Sequence, residues 1–316
     1  MLLGRANERM EEMKSAPVRM IAIDLDGTLL GADGQVGPRN IAALRAAEEA
    51  GITVVIATGR RHCYALQVVR NVGLLESTLL VSSNGAVVRN FGSELIERTH
   101  MTTQVARWLC GHLGEFRNAL IITFDKVQPN GEDERGALVV EELENLHTSI
   151  DRWMVANEPY IQRVVPIESA LGTEQPIQMM LTGSVERMRR AEARMLENEW
   201  VVGVGESRAE AKISLNRTEY PARDLSIVDI LPAGCSKGTA LLNLAAERSI
   251  DASEIMAIGD NWNDLSMLDI AGYPVLMGNA PDEMQKIAEA RGWHITGFHH
   301  EDGVAEAIEV HLPVAR

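Results

Sequence analysis

Short apolar runs separated by helix-length amphipathic segments recur at both ends of this chain and give way to a different pattern in its middle. From Val18 the order is an apolar run Met20 to Ile23, a helical stretch Asn40 to Ala50, Ile52 to Ala57, a second helical stretch ending at Val72, and Thr78 to Val81. Strands alternating with helices predict βαβ units and a parallel sheet. The rhythm returns with strands over Ser226 to Leu231, Ile255 to Ile258 and Pro274 to Leu276, and helices starting near Ser236, Trp262 and Pro281. The two stretches are expected to share one sheet.

The middle reads as a hairpin around Ala86 to Glu97, a helix from Thr102, strands near Ala119 to Phe124 and Gln175 to Leu181, a helix Val185 to Glu197, and strands at Trp200 to Val204 and Lys212 to Leu215. Strand pairs alternating with helices predict an α+β module with its helices on one face of a mostly antiparallel sheet. The expected fold class is therefore α/β, a Rossmann-like doubly wound core formed by residues 18–86 and 207–316. An α+β module inserts at 87–206, and residues 1–17 form an N-terminal extension. The polar segment Asp125 to Gly136 reads as a loop.

The 316 residues carry 30 Lys and Arg against 45 Asp and Glu, a formal charge of −15. That balance repels nucleic acid and anionic membranes as main partners, while leaving room for a local basic pocket. Three cysteines, Cys63, Cys110 and Cys235, are too few and too scattered for a disulfide framework or a CxxC metal knuckle, so free thiols in a reducing cytoplasm are expected. No run approaches the ~20 apolar residues of a membrane span. Oligomeric state is left open between monomer and homodimer.

Two acidic segments follow apolar strands. In Ile21 to Leu30, Asp24 and Asp26 stand at i and i+2 before Gly27, and in extended chain both project to one side. Adjacent acids at the carboxyl end of a parallel strand repel unless a cation sits between them, which suits a hard ion such as Mg2+; an ordinary Asp-Gly surface turn is the alternative. An EF-hand is excluded, because Thr28 and Leu29 occupy its fifth and sixth positions. In Ile255 to Asp264, Asp260, Asn263 and Asp264 cluster at a helix start. Helix capping accounts for one of them but does not need all three.

Two further segments are suited to an anion. Thr58-Gly59-Arg60 ends the second strand with a hydroxyl, an approachable N–H and a helix start, and also reads as a plain N-cap. Lys237 opens a helix, the wrong end for a cation unless it neutralises a bound phosphate or is solvated. Gly234-Cys235-Ser236-Lys237-Gly238 also matches the G-x-S-x-G pattern of serine hydrolases, but no HGGG-type segment precedes it. His299-His300 reads as a surface pair.

Taken in order, Asp24 to Leu30, Ala57 to Arg60, Ser83-Asn84-Gly85-Ala86, Ser236-Lys237-Gly238, Gly259 to Asp264 and Glu301 to Ala305 give the chain its resemblance to the haloacid dehalogenase superfamily of phosphotransferases. Within it, the chain resembles the Cof-like phosphatases with a type IIB cap. The resemblance is weak between Asp125 and Glu174, and Cys235 stands where the family often has valine.

It implies a phosphatase acting on small phosphorylated metabolites, sugar phosphates first and cofactors such as flavin mononucleotide or pyridoxal phosphate second. Asp24 would be the nucleophile and Asp26 the general acid and base. Mg2+ would be held by Asp24, the Asp26 carbonyl and Asp260, with Asp264 orienting its waters. Thr58 and Lys237 would bind the phosphoryl oxygens, with Gly59, Arg60 and Asn263 beside them. A phosphomutase of the same superfamily and a non-catalytic phosphosugar-binding protein are the alternatives.

Overall fold

The first apolar run folds as β1 (Met20–Ile23), four residues buried on both faces, as a central parallel strand requires. The computed structural model describes residues 17–142, 150–172, 174–203, 206 and 208–311, so most of the expected N-terminal extension lies outside the described residues. After β1 come α1 (Pro38–Glu49), β2 (Thr53–Ala57), α2 (His62–Val69), β3 (Leu79–Ser82), β4 (Val87–Asn90) and β5 (Leu95–Arg98). Next are α3 (Thr103–His112), β6 (Leu120–Thr123), β7 (Leu138–Val140), α4 (Asp151–Asn157), β8 (Ile161–Arg163), β9 (Gln178–Gly183), α5 (Val185–Leu196) and β10 (Val201–Val202). The long pair β11 (Ile213–Tyr220) and β12 (Leu225–Pro232) leads to α6 (Lys237–Glu247), β13 (Ile255–Gly259), α7 (Leu265–Ile270), β14 (Tyr273–Leu276), α8 (Asp282–Arg291), β15 (His294–Ile295) and α9 (Gly303–Glu309).

Two sheets result. The first has the order β15-β14-β13-β1-β2-β3-β4-β5, parallel except for its last two strands, and the second the order β10-β11-β12-β9-β6-β7-β8. Side chains of α1, α2 and α9 bury one face of the first sheet, while α6, α7 and α8 bury the other. One face of the second sheet is sealed by Val105 and Leu109 of α3 and Met188 and Met195 of α5, each side chain contributing about 1.5–3 kcal/mol.

Strand pairing redraws the expected domain limits. Strands β4 and β5, expected in the insertion, extend the first sheet, β4 antiparallel to β3 and β5 antiparallel to β4. Strand β12, expected to share a sheet with Ile255 to Ile258, instead pairs antiparallel with β11 and β9 in the second sheet. Its run LSIVDILP is almost wholly buried, and a strand covered on both faces gives the same continuous apolar signal in either sheet. The polar segment after Asp125 holds no strand, only an isolated bridge between Val127 and Asp133.

Candidate active site

Register assembles the acids. Strand β1 pairs in parallel with β13, Ile23 opposite Ile258, and with β2, Ile23 opposite Ile56. Asp24, Thr58 and Asp260 therefore leave the carboxyl ends of three adjacent strands together, where open α/β sheets bind ligands. The Asp24 N–H donates to the Ile258 carbonyl at 3.0 Å, and the Thr58 N–H to the Val81 carbonyl at 2.8 Å.

The three buried carboxylates Asp24, Asp260 and Asp264 each bring an oxygen within 4.8 Å of the others. Lys237, with no exposed surface, donates from Nζ to Asp24 Oδ1 at 2.5 Å and to Asp264 Oδ1 at 2.6 Å. The lysine at the unfavourable helix end is thus explained by its partners. Asp264 Oδ2 accepts the N–H groups of Asp260 and Asn261 at 2.9 and 3.0 Å, so this residue does cap, while its other oxygen serves the cluster. Thr28 donates to Asp260 Oδ1 at 3.0 Å. Gly27 has φ +85°, and a Cβ there would lie 2.4 Å from Asp260 Oδ2; only glycine lets the acidic loop pass so close.

Charge is unbalanced at this point. Burial, then the Asp264 charge, raise the Asp24 carboxyl from 3.8 to about 7 against the opposing pull of Lys237. Burial and the charges of Asp24 and Asp264 also raise Asp260 well above its ordinary value, opposed by the Thr28 hydrogen bond and Lys237. Burial alone would lower Lys237, but the two carboxylates reverse that and raise it. Three acids against one ammonium leave a deficit of positive charge, and an all-oxygen donor set is what a hard divalent cation such as Mg2+ takes. The residues present fit that ion.

Above the cluster lies a cavity of about 220 Å3 whose floor includes Asp24, Asp26, Thr58, Gly59, Arg60 and Asn263. Its roof is the second sheet, with Leu138, Met180 and Ile227 beside Thr123, Gln178 and Asp229; Tyr64, Trp153 and Tyr220 add aromatic walls. The Thr58 hydroxyl accepts the Arg60 N–H at 3.1 Å. The Arg60 guanidinium is bidentate on Asp26, at 2.7 and 2.5 Å, and lies over the Tyr64 ring. Roof and floor are tied by ion pairs: Asp125, after β6, bonds Arg89 of β4 and Arg98 of β5 at 2.8 to 2.9 Å, and Asp133 pairs with Arg61.

Every residue given a site role by the resemblance reaches this site, Lys237 and Asp264 beneath the floor and the others on or beside it. Ser236 of the serine-hydrolase pattern is an N-cap instead, its hydroxyl accepting the Thr239 N–H at 3.1 Å. His299, read as surface, is half-buried with Nδ1 2.9 Å from the Leu30 carbonyl. Sequence reasoning missed the roof. Asp229 carried a signal, a lone acid in an apolar strand, whereas Thr123, Gln178 and Tyr220 carried none.

Among the described residues, no helix is long and apolar enough to cross a membrane. The sequence model of haloacid dehalogenase-like hydrolases matches residues 21–308. Phosphatase YwpJ of Bacillus subtilis is 30% identical over 307 residues, covering 92% of this chain and 99% of the relative. The 5-amino-6-(5-phospho-D-ribitylamino)uracil phosphatase YwtE of the same organism is 28% identical, covering 92% and 97%. Among solved structures, BT1666 of Bacteroides thetaiotaomicron, described among phosphatases of the superfamily, superposes with a TM-score of 0.70 at 25% identity, covering 94% and 96%. The chain belongs to the haloacid dehalogenase-like hydrolases and is a Cof-like phosphatase.

Proposed function

We propose that the chain hydrolyses phosphate monoesters through an aspartyl-phosphate on Asp24, with Mg2+ as cofactor. The observation that carries this is the Asp24 carboxylate on the floor of the cavity, held through one oxygen by the buried Lys237. Asp24, the Asp26 carbonyl and Asp260 would hold Mg2+, with Asp264 behind them; the ion supplies positive charge against the transferring phosphoryl group.

With Oδ1 fixed by Lys237, the other Asp24 oxygen attacks phosphorus, and the bond from phosphorus to the leaving oxygen breaks. Asp26 gives that oxygen a proton, then takes one from the water that attacks phosphorus and breaks the bond to Asp24. Arg60 holds the Asp26 carboxylate at the cavity wall. Thr58, Gly59 and Asn263 line the phosphoryl site, and Lys237 offsets charge as Asp24 meets a dianion. The roof excludes water from the reacting atoms.

Sugar and polyol monophosphates are the leading substrates. The aromatic walls Tyr64, Trp153 and Tyr220 favour, as a second reading, monophosphates that carry a flat heterocycle, the kind that YwtE's name describes. A screen of sugar, nucleotide and cofactor monoesters with and without EDTA tests the proposal. Phosphate release that requires Mg2+ supports it; isomerised sugar phosphate without free phosphate selects the mutase, and release indifferent to EDTA removes the metal.

A further inference from the structure

Asp229 is the acid in the roof, 5% exposed, and both of its oxygens are occupied by side-chain amides. Oδ1 accepts Gln178 Nε2, from the neighbouring strand of the roof. Oδ2 accepts Asn84 Nδ2 at 2.7 Å, and Asn84 belongs to the loop after β3 of the first sheet. The Asn84 carbonyl oxygen in turn accepts Asn263 Nδ2 at 3.2 Å. Three residues thus run from the roof to the cavity floor, joined end to end through side-chain amides.

The chain has a direction. Both Asp229 oxygens accept, so the Asn84 amide points its nitrogen at Asp229 and its oxygen at Asn263. That oxygen then calls for the amino group of Asn263 and not its carbonyl. Asn84 has little freedom to do otherwise. It is fully buried with φ 52° and ψ 34°, its own N–H donates to the Thr58 carbonyl at 3.0 Å, and a Cβ at Gly59 would press to 3.2 Å on both amide atoms. Reversing Asn84 would set two acceptors, or two donors, against each other at buried contacts, where an unmade hydrogen bond costs the full desolvation penalty.

We infer that Asp229 is a positioning residue for phosphate: acting through Asn84, it fixes the orientation of the Asn263 amide at the anion site in the cavity. Asp229 lies in the second sheet and Asn263 beyond β13 of the first, so the donor is correctly turned only when the roof is seated. Phosphate recognition and closure are coupled by one polar relay. The inference rests on the phosphatase reading, which places Asn263 beside the phosphoryl group.

Calorimetric binding of inorganic phosphate to the Mg2+-loaded full chain tests it. Asp229→Asn keeps shape but can both donate and accept, so the relay loses its direction; phosphate affinity is expected to fall about tenfold, with KM for a generic ester rising more than kcat falls. Asn84→Ala, which cuts the relay in the middle, should weaken phosphate equally and serves if the first variant does not fold. In an Asn263→Ala background, adding Asp229→Asn should change nothing further. Unaltered phosphate binding in both Asp229→Asn and Asn84→Ala, or an equal loss with and without Asn263, overturns the relay alone. No phosphate binding by the unaltered enzyme overturns the phosphatase reading and the relay together.

Discussion

Lys237 Nζ lies 2.5 Å from Asp24 Oδ1, joining side chains 213 positions apart. Lys237 also reaches Asp264, so a single buried ammonium organises a nucleophile from the first strand and a capping acid from the loop after β13. Replacing it with methionine leaves two buried carboxylates without their cation. Breaking such an arrangement costs about 3–5 kcal/mol, so Lys237→Met should unfold at lower urea, more so at pH 8 than at pH 5 where Asp24, raised to about 7, is protonated. Urea unfolding at the two pH values measures this, and no detectable phosphatase activity should remain.

Asp24→Asn is expected to separate activity from stability. Turnover should fall by at least about a thousandfold, since the attacking oxygen is gone. Without metal, the native carboxylate sits buried beside Asp264 with its pKa raised to about 7, so its ionised form strains the fold. The variant should therefore melt no lower than the parent at pH 8 in EDTA, and calorimetry of the two proteins checks it.

Gly27→Ala probes the fit of the cation site. The new methyl would meet Asp260 Oδ2 at 2.4 Å, at a backbone φ of +85° that alanine rarely adopts. The Mg2+ concentration for half-maximal activity should rise about tenfold or more, read from metal titration of phosphate release.

The roof carboxylate gives stability a pH dependence with a definite sign. Burial raises Asp229 from 3.8 to about 7, opposed by its bonds to Asn84 and Gln178 and by the charge of Lys237. The folded state therefore holds this proton more tightly than the unfolded one. The stabilisation is complete below 3.8 and is lost as pH rises through about 7. Asp229→Asn should flatten that slope, gaining on the parent between pH 4 and pH 8 by on the order of a few kcal/mol in chemical unfolding.

The floor of the site was legible because each of its segments pairs a strand end with a residue type that the strand does not need. Asp24, Thr58 and Asp260 stood out against apolar runs, parallel pairing puts such ends on one edge of the sheet, and the adjacency of β13, β1 and β2 brings them together. Sheet membership was less legible. The burial that makes β12 apolar does not say which neighbour buries it, and β4 joins the core only through pairing with β3, and β5 through β4. The roof was hidden for another reason. Thr123, Gln178 and Tyr220 face the cavity through strand alternation and register, which are set by distant partners.

Covalent transfer to Asp24 is the central claim, and it can be trapped. Enzyme turning over a phosphate ester with Mg2+ is quenched in acid within milliseconds, reduced with borohydride, digested and sequenced by mass spectrometry. Conversion of Asp24 to homoserine, at that position and only with substrate present, is the expected result. Steady release of phosphate with Asp24 unmodified at every quench time would contradict it.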